Sequence, residues 1–199
     1  MNYYQEINFR PDAEVSTRFI LEKTYAQLHL ALAEYQSQQD AFDIAVAFPQ
    51  YYLNETDVSQ TTLGAQLRII GSSTEALAQL NLRTWLNRFS DYAPLSEIQQ
   101  CPSPTHYATF TRTRPQSQSG YRRMIRRKME RDGISEEEAY ASFSGRLTTK
   151  SSAPHVYLQS LSNEQRYPLF IQKTEVDAPV AGTFNSYGLS QQGATVPMF

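Results

Sequence analysis

Six apolar residues, Ile20, Leu21, Tyr25, Leu28, Leu32 and Tyr35, recur at helical spacing between two segments that read as strands. A stripe of that width cannot remain in water, so a sheet must cover it. Residues 3–9 supply the first strand, and Ser16 or Thr17 can cap the helix, which runs to about Tyr35. Phe42, Ile44, Val46 and Phe48 alternate strictly, which predicts a half-buried strand ended by Pro49. Residues 63–70 read as a further strand with Gly71 as its turn, and Ser72 with Glu75 has capping-box spacing for the next helix. Leu77 and Leu80 lie on that helix's apolar face, and Trp85, Leu86 and Phe89 close the core. A strand at 95–99 would complete a ferredoxin-like split unit over residues 1–100, an α+β arrangement that hosts many functions.

Cys101, Pro102, Ser103 and Pro104 read as a domain joint. Beyond it the spacing predicts strands at 107–113, 156–160 and 167–173, a basic helix at about 120–132 after a polar, flexible stretch at 115–120, and a helix from Ser135 with a capping box to Glu138. The tail from Phe184 is rich in Gly, Ser and Gln but ends in Val196, Pro197, Met198 and Phe199, which predicts that it packs back onto the body.

Charge is concentrated in this second half. Between Arg112 and Arg131 lie eight Lys or Arg residues and one acid, Glu130, a net of +7; the rest of the chain carries ten basic and nineteen acidic side chains, a net of −9. The overall charge of −2 hides that polarity. Such a field fits a polyanionic partner; the other reading is a solvated helix paired with acids such as Glu136, Glu137 and Glu138. On a helical wheel Arg122, Arg126, Arg123, Arg127 and Arg131 sweep one arc, with Tyr121, Ile125 and Met129 opposite. Guanidinium groups bind phosphate oxygens in pairs and read guanine bidentately, and Arg112 and Arg114 share a strand face just upstream, so the pattern fits a helix laid in a nucleic-acid groove. The A-form RNA major groove is deep and narrow, which favours the accessible end of a short hairpin.

The remaining composition excludes several classes. Cys101 is the only cysteine, so neither an internal disulfide nor a cysteine-rich zinc site can form. The N-terminus has no apolar signal core and no segment approaches the roughly 18 apolar residues of a membrane span, so a soluble, cytoplasmic protein with no membrane partner is expected. No P-loop, zincin motif, Gly-x-Ser-x-Gly elbow or spaced carboxylate cluster for magnesium is present, and neither a cofactor nor a metal is expected. Of His29, His106 and His155, only His29 sits at the flank of a long apolar stripe. It is either a structural histidine or a base working near neutrality. With RNA as partner, the 2′-hydroxyl is itself the nucleophile, and a histidine with serine and tyrosine hydroxyls is a sufficient set.

INFRPDAE, AQLHLAL around His29, IAVAFP, LGAQLRI, TWLNRF, the basic helix with ISEEEAY, YLQSLSNEQRYPLFI, SYGLS and VPMF follow one another in a specific order. In that order and spacing the chain resembles the CRISPR-associated endoribonuclease of type I-F systems, which processes precursor CRISPR RNA at its repeat hairpin. The resemblance covers nearly the whole chain. It implies a ferredoxin-like N-terminal domain followed, over 101–199, by a divergent RRM-like domain carrying the arginine-rich helix. It implies that His29 is the general base, Ser160 positions the ribose with Ser162 close behind, and Tyr187 sets the histidine's orientation. It further implies that Tyr167 stacks on the base pair at the foot of the stem, that Arg112 and Arg114 read the lowest base pairs, and that Arg123, Arg126, Arg127 and Arg131 match the groove helix, on whose arc Arg122 also lies. The products would be a 2′,3′-cyclic phosphate and a 5′-hydroxyl, formed without metal. The enzyme would keep the hairpin, as mature CRISPR RNA, within the surveillance complex and its other subunits. The rival reading is a hairpin-binding structural subunit with weak or no cleavage. The chain departs from the family pattern at Arg114, where that pattern has glutamine, at Tyr167 for phenylalanine, at Met198 for tryptophan, at Lys128 and Glu130, and by one extra tail residue in QQGATVPMF.

Overall fold

The structure, a computed structural model, describes residues 1–115, 118–143, 151–160 and 163–199. The first half runs β1 (Tyr3–Asn8), α1 (Thr17–Gln39), β2 (Ile44–Ala47), β3 (Gln66–Gly71), α2 (Thr74–Leu80), α3 (Leu82–Leu86) and β4 (Gln99–Gln100). Its antiparallel sheet has the order β2-β3-β1-β4, with Tyr3 opposite Gly71 and Asn8 opposite Gln66. Ser16 caps α1 by accepting from the Phe19 N–H, and Asp40 closes the helix in the left-handed region. All six residues of the expected stripe are buried.

Three local expectations need correction. β2 is buried on both faces, Ala45 and Ala47 as fully as Val46, within one apolar core, and residues 184–188 cover its free edge: the Phe184 N–H donates to the Phe42 carbonyl and the Val46 N–H to the Gly188 carbonyl, at 3.0 and 2.8 Å. That cover removes an exposed edge strand. Ser73 rather than Ser72 caps α2, since the Ser72 hydroxyl is taken by the Asp43 carboxylate. The strand expected at 95–99 is reduced to a bridge at Leu95 and the two residues of β4, because the Ser96 hydroxyl takes the Glu6 N–H in place of a main-chain acceptor.

The second half comprises β5 (His106–Thr113), α4 (Gln118–Asp132), α5 (Glu136–Phe143), β6 (His155–Gln159), β7 (Arg166–Val176) and β8 (Val196–Met198). They form an antiparallel sheet of order β6-β7-β5-β8. α4 starts at Gln118, so 118–120, expected to be flexible, belong to the helix. Ser135 and Glu138 cap each other at the start of α5. The tail does pack back: β8 pairs with β5, and Phe199 lies over Arg68 of the first sheet, whose guanidinium is 3.7 Å from the ring centre and ion-paired with Glu6. Apolar packing is continuous across the two sheets, with the Phe48 ring packed at a tilt between Tyr25 and Phe110 at 5.9 and 5.6 Å. Among the described residues, no helix is long and apolar enough to cross a membrane.

Candidate active site

The site forms where α1 meets the turn 185–188 that seals β2. Asn185 builds that turn locally: its side-chain oxygen accepts the N–H groups of Tyr187 and Leu189, and its carbonyl accepts that of Gly188. This is an Asx turn, completed by Gly188 at φ +72°. The carbonyls of Ser186, Tyr187 and Gly188 accept from the first half of the chain. His29 Nδ1 donates to the Ser186 carbonyl at 2.7 Å, and the Tyr25 hydroxyl donates to the Tyr187 carbonyl at 2.8 Å.

The tautomer of His29 follows from the first bond. A carbonyl oxygen only accepts, so Nδ1 carries the hydrogen and the neutral ring keeps its lone pair on Nε2. The ring plane is fixed as well, because the imidazole stacks on Tyr187 with centroids 4.1 Å apart and planes 11° apart. Burial holds the His29 pKa below its ordinary value of 6.5; the Ser186 bond opposes that shift and the charge of Arg112 adds to it. His29 is therefore a neutral, oriented acceptor at neutral pH.

Tyr167 and Arg112 complete the group. Tyr167, on β7, shares a hydrogen bond of 2.9 Å with the Tyr187 hydroxyl, and burial with that bond pushes its own phenol up to about 12. Arg112, on β5, lies with its guanidinium 5.7 Å from the Tyr167 ring centre and 5.5 Å from that of Tyr187. Its Nε is buried without a hydrogen-bond partner among the described residues. A cation, two linked phenols and an oriented imidazole thus converge, a set able to accept a proton, stack on a ring and hold an anion.

The other expected site residues lie further along the second sheet. Ser160 follows β6 and opens the turn to β7, its N–H donating to the Gln165 carbonyl and its carbonyl accepting from Glu164, both at 2.9 Å. Tyr167 pairs with Leu158 in the same hairpin, so Ser160 and Tyr167 sit at one end of it. Ser162 lies outside the described residues. Arg114 falls past the end of β5 and is exposed. Arg122, Arg123, Arg126, Arg127 and Arg131 are all exposed on α4, while Ile125 is buried and Tyr121 packs edge-on against Tyr140 of α5 at 5.2 Å. Of these arginines, Arg126 pairs loosely with Glu130 at 3.7 Å and Arg131 is held by Asp132 at 2.7 Å. The described residues thus pair these two arginines with acids of α4 itself; Glu138, one of the acids of the solvated-helix reading, instead caps α5.

Sequence reasoning did not find Tyr25, the Ser186 carbonyl or Asn185. The Tyr25 ring reads as core, and nothing in its spacing reveals its hydroxyl's acceptor 162 residues away. Asn185 ahead of Gly188 carried a turn signal that was available.

Comparison with known proteins adds an independent line. A family model described as "CRISPR-associated protein (Cas_Csy4)" matches residues 4–199. The chain is 32% identical over 200 residues to the "CRISPR-associated endonuclease Cas6/Csy4" of Escherichia coli (strain UTI89 / UPEC), and 34% identical over 200 residues to the protein of the same description from Pseudomonas aeruginosa (strain UCBPP-PA14). In both cases all of this chain and all of the relative are covered.

Proposed function

The chain belongs to the Cas_Csy4 family of CRISPR-associated proteins, and we propose that it is a metal-independent endoribonuclease that binds the CRISPR repeat stem-loop and cuts precursor CRISPR RNA at its 3′ foot. The observation that carries this reading is the His29 Nδ1 bond to the Ser186 carbonyl, which leaves Nε2 as the proton acceptor. Nε2 takes the proton of the ribose 2′-hydroxyl as that oxygen attacks the adjacent phosphorus. The bond from phosphorus to the 5′-oxygen of the next nucleotide breaks, and that oxygen leaves with a proton. The products are a 2′,3′-cyclic phosphate and a 5′-hydroxyl.

The other residues divide the work of holding the RNA. Tyr187 keeps the imidazole flat by stacking, and its hydroxyl ties it to Tyr167, whose face takes the base pair at the foot of the stem. Ser160, with Ser162, positions the ribose, and Arg112 and Arg114 read the lowest base pairs. The arginine arc of α4 lies in the groove, its exposed guanidiniums opposite a docked apolar face. In this reading residues 1–100 are the ferredoxin-like domain, supported by the strand order β2-β3-β1-β4, and 101–199 the divergent RRM-like, hairpin-binding region. The enzyme keeps its hairpin product and joins the type I-F surveillance complex.

A repeat RNA carrying a 2′-deoxynucleotide at the cleavage position tests the chemistry. It is expected to bind as tightly as the all-ribose hairpin and to remain uncut, while the ribose substrate yields a cyclic phosphate. Cleavage of the deoxy substrate would overturn the 2′-hydroxyl mechanism. Tight binding of the ribose hairpin with no cutting would move the assignment to an RNA-binding subunit.

A further inference from the structure

Three consecutive carbonyls of the 185–188 turn are each gripped from the first half of the chain. Ser186 is held by the His29 Nδ1–H at 2.7 Å, Tyr187 by the Tyr25 hydroxyl at 2.8 Å, and Gly188 by the Val46 N–H at 2.8 Å. Tyr25 and His29 are one helical turn apart on α1, so their side chains project from the same face toward neighbouring peptide units. Tyr25 is fully buried, and a phenylalanine there would carry the same ring without the cost of burying a hydroxyl. Among the described residues the hydroxyl donates to the carbonyl of Tyr187, the residue on which His29 stacks.

We propose that Tyr25 is a positioning residue for His29: its hydroxyl fixes the turn in the register at which the Ser186 carbonyl meets Nδ1 and the Tyr187 ring lies flat on the imidazole. The proposal rests on the reading of His29 as the base, but its first consequence concerns the imidazole itself. Without the Tyr25 hydroxyl the Tyr187 carbonyl loses its donor and the turn gains freedom beside the Ser186 peptide. The bond from Nδ1, which favours the protonated ring, then weakens, and both the tautomer and the ring plane loosen. The titratable and charged groups around this site are Tyr187, on which the ring stacks, Arg112, whose charge opposes protonation, and Tyr167, bonded to Tyr187. Tyr25→Phe removes none of them.

The experiment is an NMR titration of His29 in the whole protein, wild type against Tyr25→Phe, with Thr24→Val as control, alongside single-turnover cleavage as a function of pH. Thr24 is the adjacent buried hydroxyl, and no hydrogen-bond partner is found for it among the described residues. Tyr25→Phe is expected to move the His29 titration and the acid limb of the rate profile to lower pH. Losing one oriented hydrogen bond should also lower the plateau rate roughly three- to tenfold, with hairpin affinity within about twofold of wild type. Thr24→Val should leave the titration in place. An unchanged titration in Tyr25→Phe, whether or not the plateau falls, overturns the proposal, since a loss of folded protein lowers the plateau without moving the midpoint. Should the variant not fold, the wild type still decides: the Tyr25 hydroxyl proton is expected to be protected from exchange, and a freely exchanging one refutes the grip. A shifted titration in a protein whose wild type does not cut RNA would leave this inference standing and overturn the proposed function.

Discussion

Gly188→Ala is the sharpest test of how the turn holds the site, because the structure supplies each part of the expected cost. Gly188 has φ +72°, and a Cβ placed on it would lie 2.3 Å from Val46 Cγ2 and 2.9 Å from Val46 Cβ. The left-handed backbone costs an alanine about 1–2 kcal/mol. Forcing a methyl group into the packed contact with Val46 adds about 1–3 kcal/mol. Val46 cannot retreat freely, since its N–H is bonded to the Gly188 carbonyl and its side chain is fully buried in β2. The sum is about 3 kcal/mol, which for a domain of this size lowers Tm by roughly 6–12 °C. Urea and thermal unfolding measure it directly. The clash is specific, so Val46→Ala in the Gly188→Ala background should cost less than Val46→Ala alone, a coupling of about 1–2 kcal/mol in a double-mutant cycle. At a temperature where Gly188→Ala is folded, cleavage should fall more than hairpin affinity, because Ser186 and Tyr187 shift with the turn. A Gly188→Ala protein within about 0.5 kcal/mol of wild type, or a cycle with no coupling, would refute the account of the turn as a rigid seal on β2.

Ile125→Ala removes the buried apolar side chain of α4 and should cost about 2 kcal/mol of local stability, read as faster amide exchange in α4 together with weaker hairpin binding. Arg127→Ala should weaken binding across stem sequences and reduce the slope of log affinity against log salt by about 1; an unchanged slope would remove Arg127 from the phosphate contacts. Arg112→Ala should cost about 1–3 kcal/mol of discrimination at one base pair, and equal losses on all stems would reject a base-reading role. Because burial and Arg112 hold His29 below 6.5, the base form predominates at neutral pH. The cleavage rate should therefore change little above neutrality and fall as the pH drops through the lowered His29 value; a rate rising severalfold between pH 7 and 8 would assign the limb to another group.

The fold was legible where a single periodicity decides an element. The α1 stripe, the Ser135 and Glu138 cap and the apolar tail end all carry local signals, and each element formed as its residues dictate. The errors arose where a distant segment intervenes. The alternation in residues 42–48 predicts a half-buried strand because nothing local announces that the apolar core closes over both faces of β2, and Ser72 loses its capping role to Asp43. The same limit applies at the site. His29 was visible from its place beside the stripe, and the arginine arc from its helical angle. The parts that give His29 its tautomer and plane are a carbonyl and a ring from a loop more than 150 residues away, joined by tertiary packing that no local spacing encodes.

The central claim is that His29 is the proton acceptor in cleavage of the repeat hairpin. Single-turnover cleavage of the host's CRISPR repeat RNA in excess EDTA, with wild type and His29→Ala side by side and hairpin affinity measured for both, tests it most directly. The account predicts that wild type cuts at the 3′ foot of the hairpin without metal, and that His29→Ala loses most of that activity while binding the hairpin as tightly as wild type. A His29→Ala protein that still cuts at the wild-type rate, or that loses binding in proportion to cleavage, would contradict it.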